Sequence, residues 1–205
     1  MLSGRIFDPD DERLSAIKCI AHDLCAEFNR ILPSESERRS AILQELLGSV
    51  GANCAIRGPI FFNYGTHTRI GANFFGNFQL VVSDDAEVTI GDDVMFGPNV
   101  TLATPMHPML AEERWSITQD GRTFQPCFAK PIRIGNDVWL AAGVTVTGGT
   151  TIGDGAVVGA NSVVVDDVPP HVFAAGSPCR VIRPITGADS IRNRPELWPE
   201  GPAAT

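Results

Sequence analysis

No run in the 205 residues approaches the roughly 20 consecutive apolar residues that cross a bilayer, and the opening MLSGRIFDPDDER has no apolar signal core. A soluble cytoplasmic protein with no membrane partner is expected. Positive charge is scarce. Lys and Arg number 16 against 24 Asp and Glu, a net charge of −8, so the basic face that nucleic acid requires is not expected. The five cysteines (19, 25, 54, 127, 179) are odd in number and form no CxxC pair. That argues against a disulfide frame and for a reducing compartment. The four histidines (22, 67, 107, 171) include no pair at ligand-like spacing, so no metal is expected. The second half also lacks the 10–15-residue helical patterns that would separate the strands of an α/β sheet.

What that half contains is a period. Aliphatic residues fall at Ile134, Leu140, Val146, Ile152, Val158 and Val164, one every six positions, and the following residue is small or branched each time. Neither a helix of period 3.6 nor a two-sided strand of period two repeats at six. A parallel β-helix does. Each hexad supplies one short strand and one corner, and three hexads make one coil of a triangular prism. Coils stack at about 4.8 Å. No coil buries its own apolar face, so several must stack.

Upstream, Ile70 opens the first clear hexad, and Ile90, Phe96 and Leu102 repeat at six, with Ser83–Ala86 reading as an insertion between them. The phase breaks at His107. A polar excursion follows and the coils resume at Ile132–Ile134; a long loop on a rigid scaffold is usually functional. Leu14, Ile17, Ala21, Leu24, Phe28 and Ile31 form a helical stripe, and Ser34-Glu35-Ser36-Glu37 reads as a capping box for a second helix that Gly48 would stop. The predicted division is a helical cap over 1–49, a β-helix over 50–185 with its loop at 107–131, and a mobile tail over 186–205. The cap would cover one end of the prism and its unpaired strand edges.

The stretches NYGTHTRIGANFFGNF (63–78), IGDDVMFGPNVTLATPMHP (90–108), KPIRIGNDVWLAAGVTVTGGTTIGDGAVVGANSVV (130–164) and DVPPHVFAAGSPCRVIR (167–183), together with the two-helix cap, resemble the hexapeptide-repeat sugar O-acetyltransferases. This is the group of maltose, galactoside and nodulation-factor acetyltransferases. The resemblance implies a left-handed parallel β-helix, a homotrimer with sites between subunits, acetyl-CoA as donor and a sugar hydroxyl as acceptor.

His107 stands where the coil period breaks and matches the family's catalytic histidine. It is assigned as the general base, since imidazole titrates near neutrality and a hydroxyl needs its proton removed. By resemblance, Asn77, Asn63, Asp85 and Asp8 (or Asp10) are acceptor-site residues, with Lys18 a further basic candidate. Phe75 and Tyr64 are rings that either stack on the sugar or pack in the core. Ala142 and Ala160 are implied to meet the acetyl-CoA arm through their backbone, the Ala142 amide as oxyanion donor. Trp139 is implied to shape the groove, and Arg180 and Arg183 to meet the nucleotide phosphates. Val165 and Asp166 fall in the same coenzyme groove.

Three departures stand out. Cys127 replaces a glutamate that orients the histidine in many relatives, leaving a backbone carbonyl, Glu112 or Glu113 for that task. Asp166 replaces a lysine near the CoA phosphates. The loop is longer, adding Trp115 to Phe124, which implies a changed acceptor. Competing expectations are an O-acetyltransferase of xenobiotics, a non-catalytic β-helix that binds, and a metal-dependent lyase similar to γ-class carbonic anhydrases, for which the histidines are too few.

Overall fold

The six aliphatics from Ile134 to Val164 all point inward, none more than 3% exposed. They stand on three short-stranded parallel sheets that make the faces of a prism. The structure, a computed structural model, describes residues 1–199. The first face stacks Ser49–Val50, Thr68–Ile70, Val88–Ile90, Ile132–Ile134 and Thr151–Ile152. The second stacks Ala55–Ile56, Phe75–Gly76, Met95–Phe96, Trp139–Leu140, Val157–Val158 and Val172–Ala175. The third stacks Ile60–Phe62, Leu80–Ser83, Thr101–Ala103, Thr145–Thr147 and Val163–Val164. This is the mainly β, parallel β-helix that the hexads and the resemblance predict.

The coils are not of one length. Leu140 pairs with Val158, a coil of eighteen residues, but Val50 pairs with Ile70 and Ile70 with Ile90, coils of twenty. The extra residues sit at one corner, between the third face and the next coil's first face. There the chain runs through 63–67, then 84–87, then the long loop, and tightens to 148–150. The insertion at Ser83–Ala86 is therefore one rung of a column. The loop at 107–131 leaves the prism from that same column.

The other corners are tight. Between the first and second faces Asn53, Asn73, Asp93 and Asp137 take left-handed φ of 58°, 57°, 58° and 56°, which short polar side chains tolerate. Beside them a side-chain ladder ties coil to coil: the Ala72 amide donates to Asp92 Oδ1 (2.7 Å), the Asp92 amide to Asn136 Oδ1 (2.9 Å) and the Asn136 amide to Asp154 Oδ1 (2.8 Å). A Cβ at Gly91 would come within 2.7 Å of the Gly135 carbonyl, so glycine is needed for this stacking.

Helix α1 (Glu12–Arg30) and helix α2 (Ser36–Leu46) lie over the first coil. Their polar side chains meet strand groups that have no coil below. Asn29 pairs with both backbone groups of Ile60, donating to its oxygen (2.9 Å) and accepting from its amide (2.8 Å). Arg39 donates to the carbonyls of Ile56 (3.1 Å) and Arg57 (2.7 Å) while lying 4.0 Å over the Phe28 ring. The expected capping box at 34–37 does not form. Glu35 instead accepts from the Leu32 amide (3.2 Å), a donor left bare where Pro33 interrupts the chain. Nor does Gly48 end α2 as a left-handed cap. The helix closes on Leu47 in extended conformation, and a Cβ at Gly48 would strike the Thr66 carbonyl at 2.4 Å.

At the far end Arg180–Pro184 folds back antiparallel on Val172–Ala175. The segment expected to be a mobile tail carries 3-10 turns at Gly187–Asp189, Ile191–Asn193 and Pro195–Leu197, and 200–205 lie outside the described residues. The long loop has structure too. Pro105–Met106 pairs with Phe128–Ala129 at its stem, Ala111–Arg114 is a helical turn, and Ile117–Gln119 pairs with Arg122–Phe124. That hairpin turns on Asp120 (φ 50°) and Gly121 (φ 77°), the two-residue Asp-Gly turn favoured by strand twist.

Candidate active site

His107 follows directly on the loop stem and is exposed. Its Nδ1 lies 3.0 Å from the Pro126 carbonyl. A ring nitrogen beside a carbonyl oxygen must carry the hydrogen, so Nε2 keeps the lone pair and can accept a proton. Of the three orienting groups the sequence left open, the backbone carbonyl takes the role. Glu112 and Glu113 sit exposed on the loop's helical turn. Pro126 is fixed in turn by its neighbour: Cys127 and Phe7 exchange backbone hydrogen bonds of 2.8 and 3.1 Å. The Cys127 thiol is buried, and burial, then the Asp85 charge, push it up to about 11. It remains protonated at neutral pH and is no nucleophile.

Asp85 and Asn63 occupy the long corner one coil apart, and Asn63 Nδ2 donates to Asp85 Oδ2 at 3.1 Å. Burial raises the Asp85 carboxyl above its ordinary range; Asn63 opposes this, Asp84 adds to it, and Lys18 opposes it. The Lys18 ammonium also donates to the Pro9 carbonyl (2.6 Å). Asp84, which the sequence offered only as part of the insertion at Ser83–Ala86, is fully buried. It accepts from the Tyr64 amide (2.8 Å) and Thr68 Oγ1 (2.9 Å) and so fixes the corner that carries Asn63. The signal for it was the twenty-residue coil, which sets residue 64 beside residue 84. Tyr64 is a core ring rather than a sugar platform. It is buried 4.9 Å from the His67 ring, and its hydroxyl has no hydrogen-bond partner among the described residues. Phe75 is half-buried under the Arg57 guanidinium at 5.4 Å. Asp8 does not stand free either. One oxygen accepts from the Asp10 amide (3.0 Å) and the other from Arg122 Nη2 (2.7 Å).

Asn77, Ala142 and Ala160 lie at a different corner, between the second and third faces. A third-face strand of three or four residues separates the two corners, roughly 10–13 Å at 3.3 Å per residue. The single chain therefore does not gather Asn77 and Ala142 beside His107. At this second corner the backbone amides differ from coil to coil. That of Phe78 is taken by Asn77 Oδ1 (2.9 Å), and Pro98 has none. Those of Ala142 and Ala160 donate to nothing among the described residues, and free amides on a sheet corner can bind an oxyanion or an amide-bearing arm.

Trp139 lies on the outer side of the second face with Phe173, Ile185 and Arg183, around a groove of about 380 Å³. The Arg183 guanidinium is held by both oxygens of Asp189 (2.7 and 2.8 Å), which keeps the Asp189 carboxyl down at about 2. Arg180 pairs with Asp166 at 3.1 Å. Arg180 meets Asp166 through Nη1 alone, whereas Arg183 has both Nη1 and Nη2 engaged by Asp189. Val165 is exposed at the long corner beside Asp166. Among the described residues no three His, Cys, Asp or Glu side chains are grouped to hold a metal ion, and no helix is long and apolar enough to cross a membrane.

Residues 1–51 match the family model described as the maltose acetyltransferase hexapeptide capping motif, and residues 131–166 match the bacterial transferase hexapeptide of six repeats. The galactoside O-acetyltransferase of Escherichia coli K12 is 42% identical over 187 residues, 91% of this chain and 88% of that protein. The chain belongs to the hexapeptide-repeat galactoside and maltose acetyltransferase family. It is an acyltransferase. A solved galactoside acetyltransferase in complex with coenzyme A superposes on 99% of this family member and 96% of its own chain, with a TM-score of 0.84 at 39% identity. A hexapeptide-repeat acetyltransferase of Vibrio cholerae complexed with acetyl coenzyme A covers 91% of the chain and 96% of its own, with a TM-score of 0.80 at 35% identity.

Proposed function

We propose that this acyltransferase moves the acetyl group of acetyl-CoA directly to a hydroxyl of a sugar of the maltose or galactoside kind. The observation that carries the reading is His107, held at Nδ1 with Nε2 free on an exposed loop root. Nε2 takes the proton of the sugar hydroxyl as its oxygen attacks the thioester carbonyl. The oxyanion so formed receives a hydrogen bond from an unpaired corner amide, that of Ala142. Collapse expels the CoA thiolate, which recovers the proton from the imidazolium. No acyl-enzyme forms, consistent with a Cys127 thiol that stays protonated.

The separation of the two corners supports a site shared between chains: Asn77, Ala142 and Ala160 lie a strand's length from Asn63, Asp85 and His107 in one chain. We infer a cytoplasmic homotrimer in which one subunit's long corner faces the next subunit's second corner. In it the arm of CoA runs past Ala142 and Ala160 and over Trp139, and the nucleotide draws Arg180 and Arg183 away from Asp166 and Asp189. The cap of 1–49, the β-helix of 50–185 and the tail of 186–205 serve this assembly as separate parts.

The test is thiol release from acetyl-CoA across glucosides, galactosides, maltose, amino sugars and phenolic or antibiotic alcohols. Release that depends on a sugar supports the reading. Release only with the non-sugar alcohols moves the activity to xenobiotics. Absence of acetyl-CoA binding by calorimetry would leave a β-helix that does not use this donor.

A further inference from the structure

The extra stretch of the loop, Trp115 to Phe124, carries Arg122, and Arg122 reaches across to the N-terminal segment. Its Nη2 lies 2.7 Å from Asp8 Oδ2, 114 residues away in sequence. Next to Asp8, Phe7 forms the two-bond antiparallel bridge with Cys127. Next to Cys127, the Pro126 carbonyl holds His107 Nδ1. The hairpin that presents Arg122 is paired at three positions. Gln119 faces Arg122 across the Asp120-Gly121 turn, and the hydroxyls of Thr118 and Thr123 are 2.9 Å apart. The N-terminal segment is anchored at its other end by Lys18, which donates to the Pro9 carbonyl. One continuous series of contacts therefore runs from the hairpin to the imidazole.

We propose that Asp8 and Arg122 are positioning residues for His107. Their ion pair clamps the N-terminal strand against the loop's return, and through Phe7 and Cys127 sets the Pro126 carbonyl that fixes the imidazole. This rests on the reading of His107 as the base. An exposed ion pair adds little to global stability, and the Arg122 side chain is 60% exposed. Its effect is local, on a loop whose stem is only two strands of two residues each. A carboxylate occupied by Arg122 and by the Asp10 amide is also a poor contact for a sugar, so Asp8 acts at a distance from the acceptor.

The experiment compares Asp8→Asn, Arg122→Ala, the double variant, Arg122→Lys and His107→Gln in the full chain. Turnover and acceptor KM are measured with amide hydrogen exchange at Phe7 and Cys127. Asp8→Asn and Arg122→Ala should each lower kcat about tenfold, as loss of an outer-shell partner does, with acceptor KM near wild type and the melting temperature unmoved. The double variant should be no worse than either single. Arg122→Lys should recover most of the rate, and exchange at Phe7 and Cys127 should quicken only where the rate falls. Wild-type kcat in Arg122→Ala overturns the proposal, whether or not exchange changes. A raised acceptor KM in Asp8→Asn with Arg122→Ala unaffected overturns it in favour of a sugar contact. Full turnover in His107→Gln instead removes the base assignment, and the positioning role with it.

Discussion

Asn63 and Asp85 stand one coil apart on the long corner, the amide of one donating to the carboxylate of the other across 3.1 Å. The pair sits beside the buried Asp84 on a corner whose Thr66 and Glu87 face solvent. Asp85 is 4% exposed, and burial outweighs the help of Asn63 and Lys18, so its carboxyl holds its proton above the ordinary range.

That shift has a sign. A carboxyl that binds its proton more tightly folded than unfolded contributes stability below its unfolded pKa and loses it as pH rises through the raised folded value. Asp85→Asn cannot ionise and escapes the loss. Its melting temperature should exceed that of the wild type at about pH 8 and converge with it near pH 3.5. A gap that shrinks as pH rises would contradict the burial of this charge. The same variant should bind the acceptor less well, read as a raised KM.

His107→Ala should cost about 10²–10⁴ in kcat, the usual contribution of a positioned base. Because the side chain is exposed, thermal unfolding should be unchanged. Near-normal turnover at saturating substrates would remove the assignment.

His107→Ala and Asn77→Ala, purified separately, should both be impaired. Unfolded together and refolded as a mixture, they should recover activity, because some interfaces then join an intact His107 from one chain to an intact Asn77 from another. A mixture no more active than its components would place both residues in one chain's site, against the strand-length gap between their corners.

Asn29→Ala removes two hydrogen bonds from the bottom edge of the prism. With Ile60 fully buried, both of its backbone groups lose their partner. The expected cost is about 1–3 kcal/mol of unfolding free energy, measured by denaturant titration with turnover per folded molecule unaltered.

The faces of the prism were legible because one residue type every six positions is a requirement of the core, and Leu140, Val146 and Val158 meet it. The two-residue expansion at the long corner was only half legible. Ser83–Ala86 announced it, but Tyr64–His67 did not, because Ile70 had no clear hexad before it to mark a phase. Asp120-Gly121 is a readable hairpin signal inside the polar excursion. The Pro126 carbonyl left no trace, since any residue supplies a backbone oxygen. Glu35 misled because a capping pattern records which groups are able to bond, and the Leu32 amide offered a nearer partner. Asp8 was assigned by resemblance at the acceptor. Its pairing with Arg122, from a stretch that lengthens the loop, left no sign in the sequence.

A parallel solenoid is open at both ends, and each end offers a row of amides and carbonyls to any strand that arrives. At one end Asn29 and Arg39 fill that row. At the other, Arg180–Pro184 turns against the stacking direction and lies antiparallel on the last full strand of its face. Reversing the final strand breaks the register a further molecule would need to continue the stack. The same wall that repeats in an amyloid fibre is thus kept to a fixed length here, by two side chains at one terminus and a change of direction at the other.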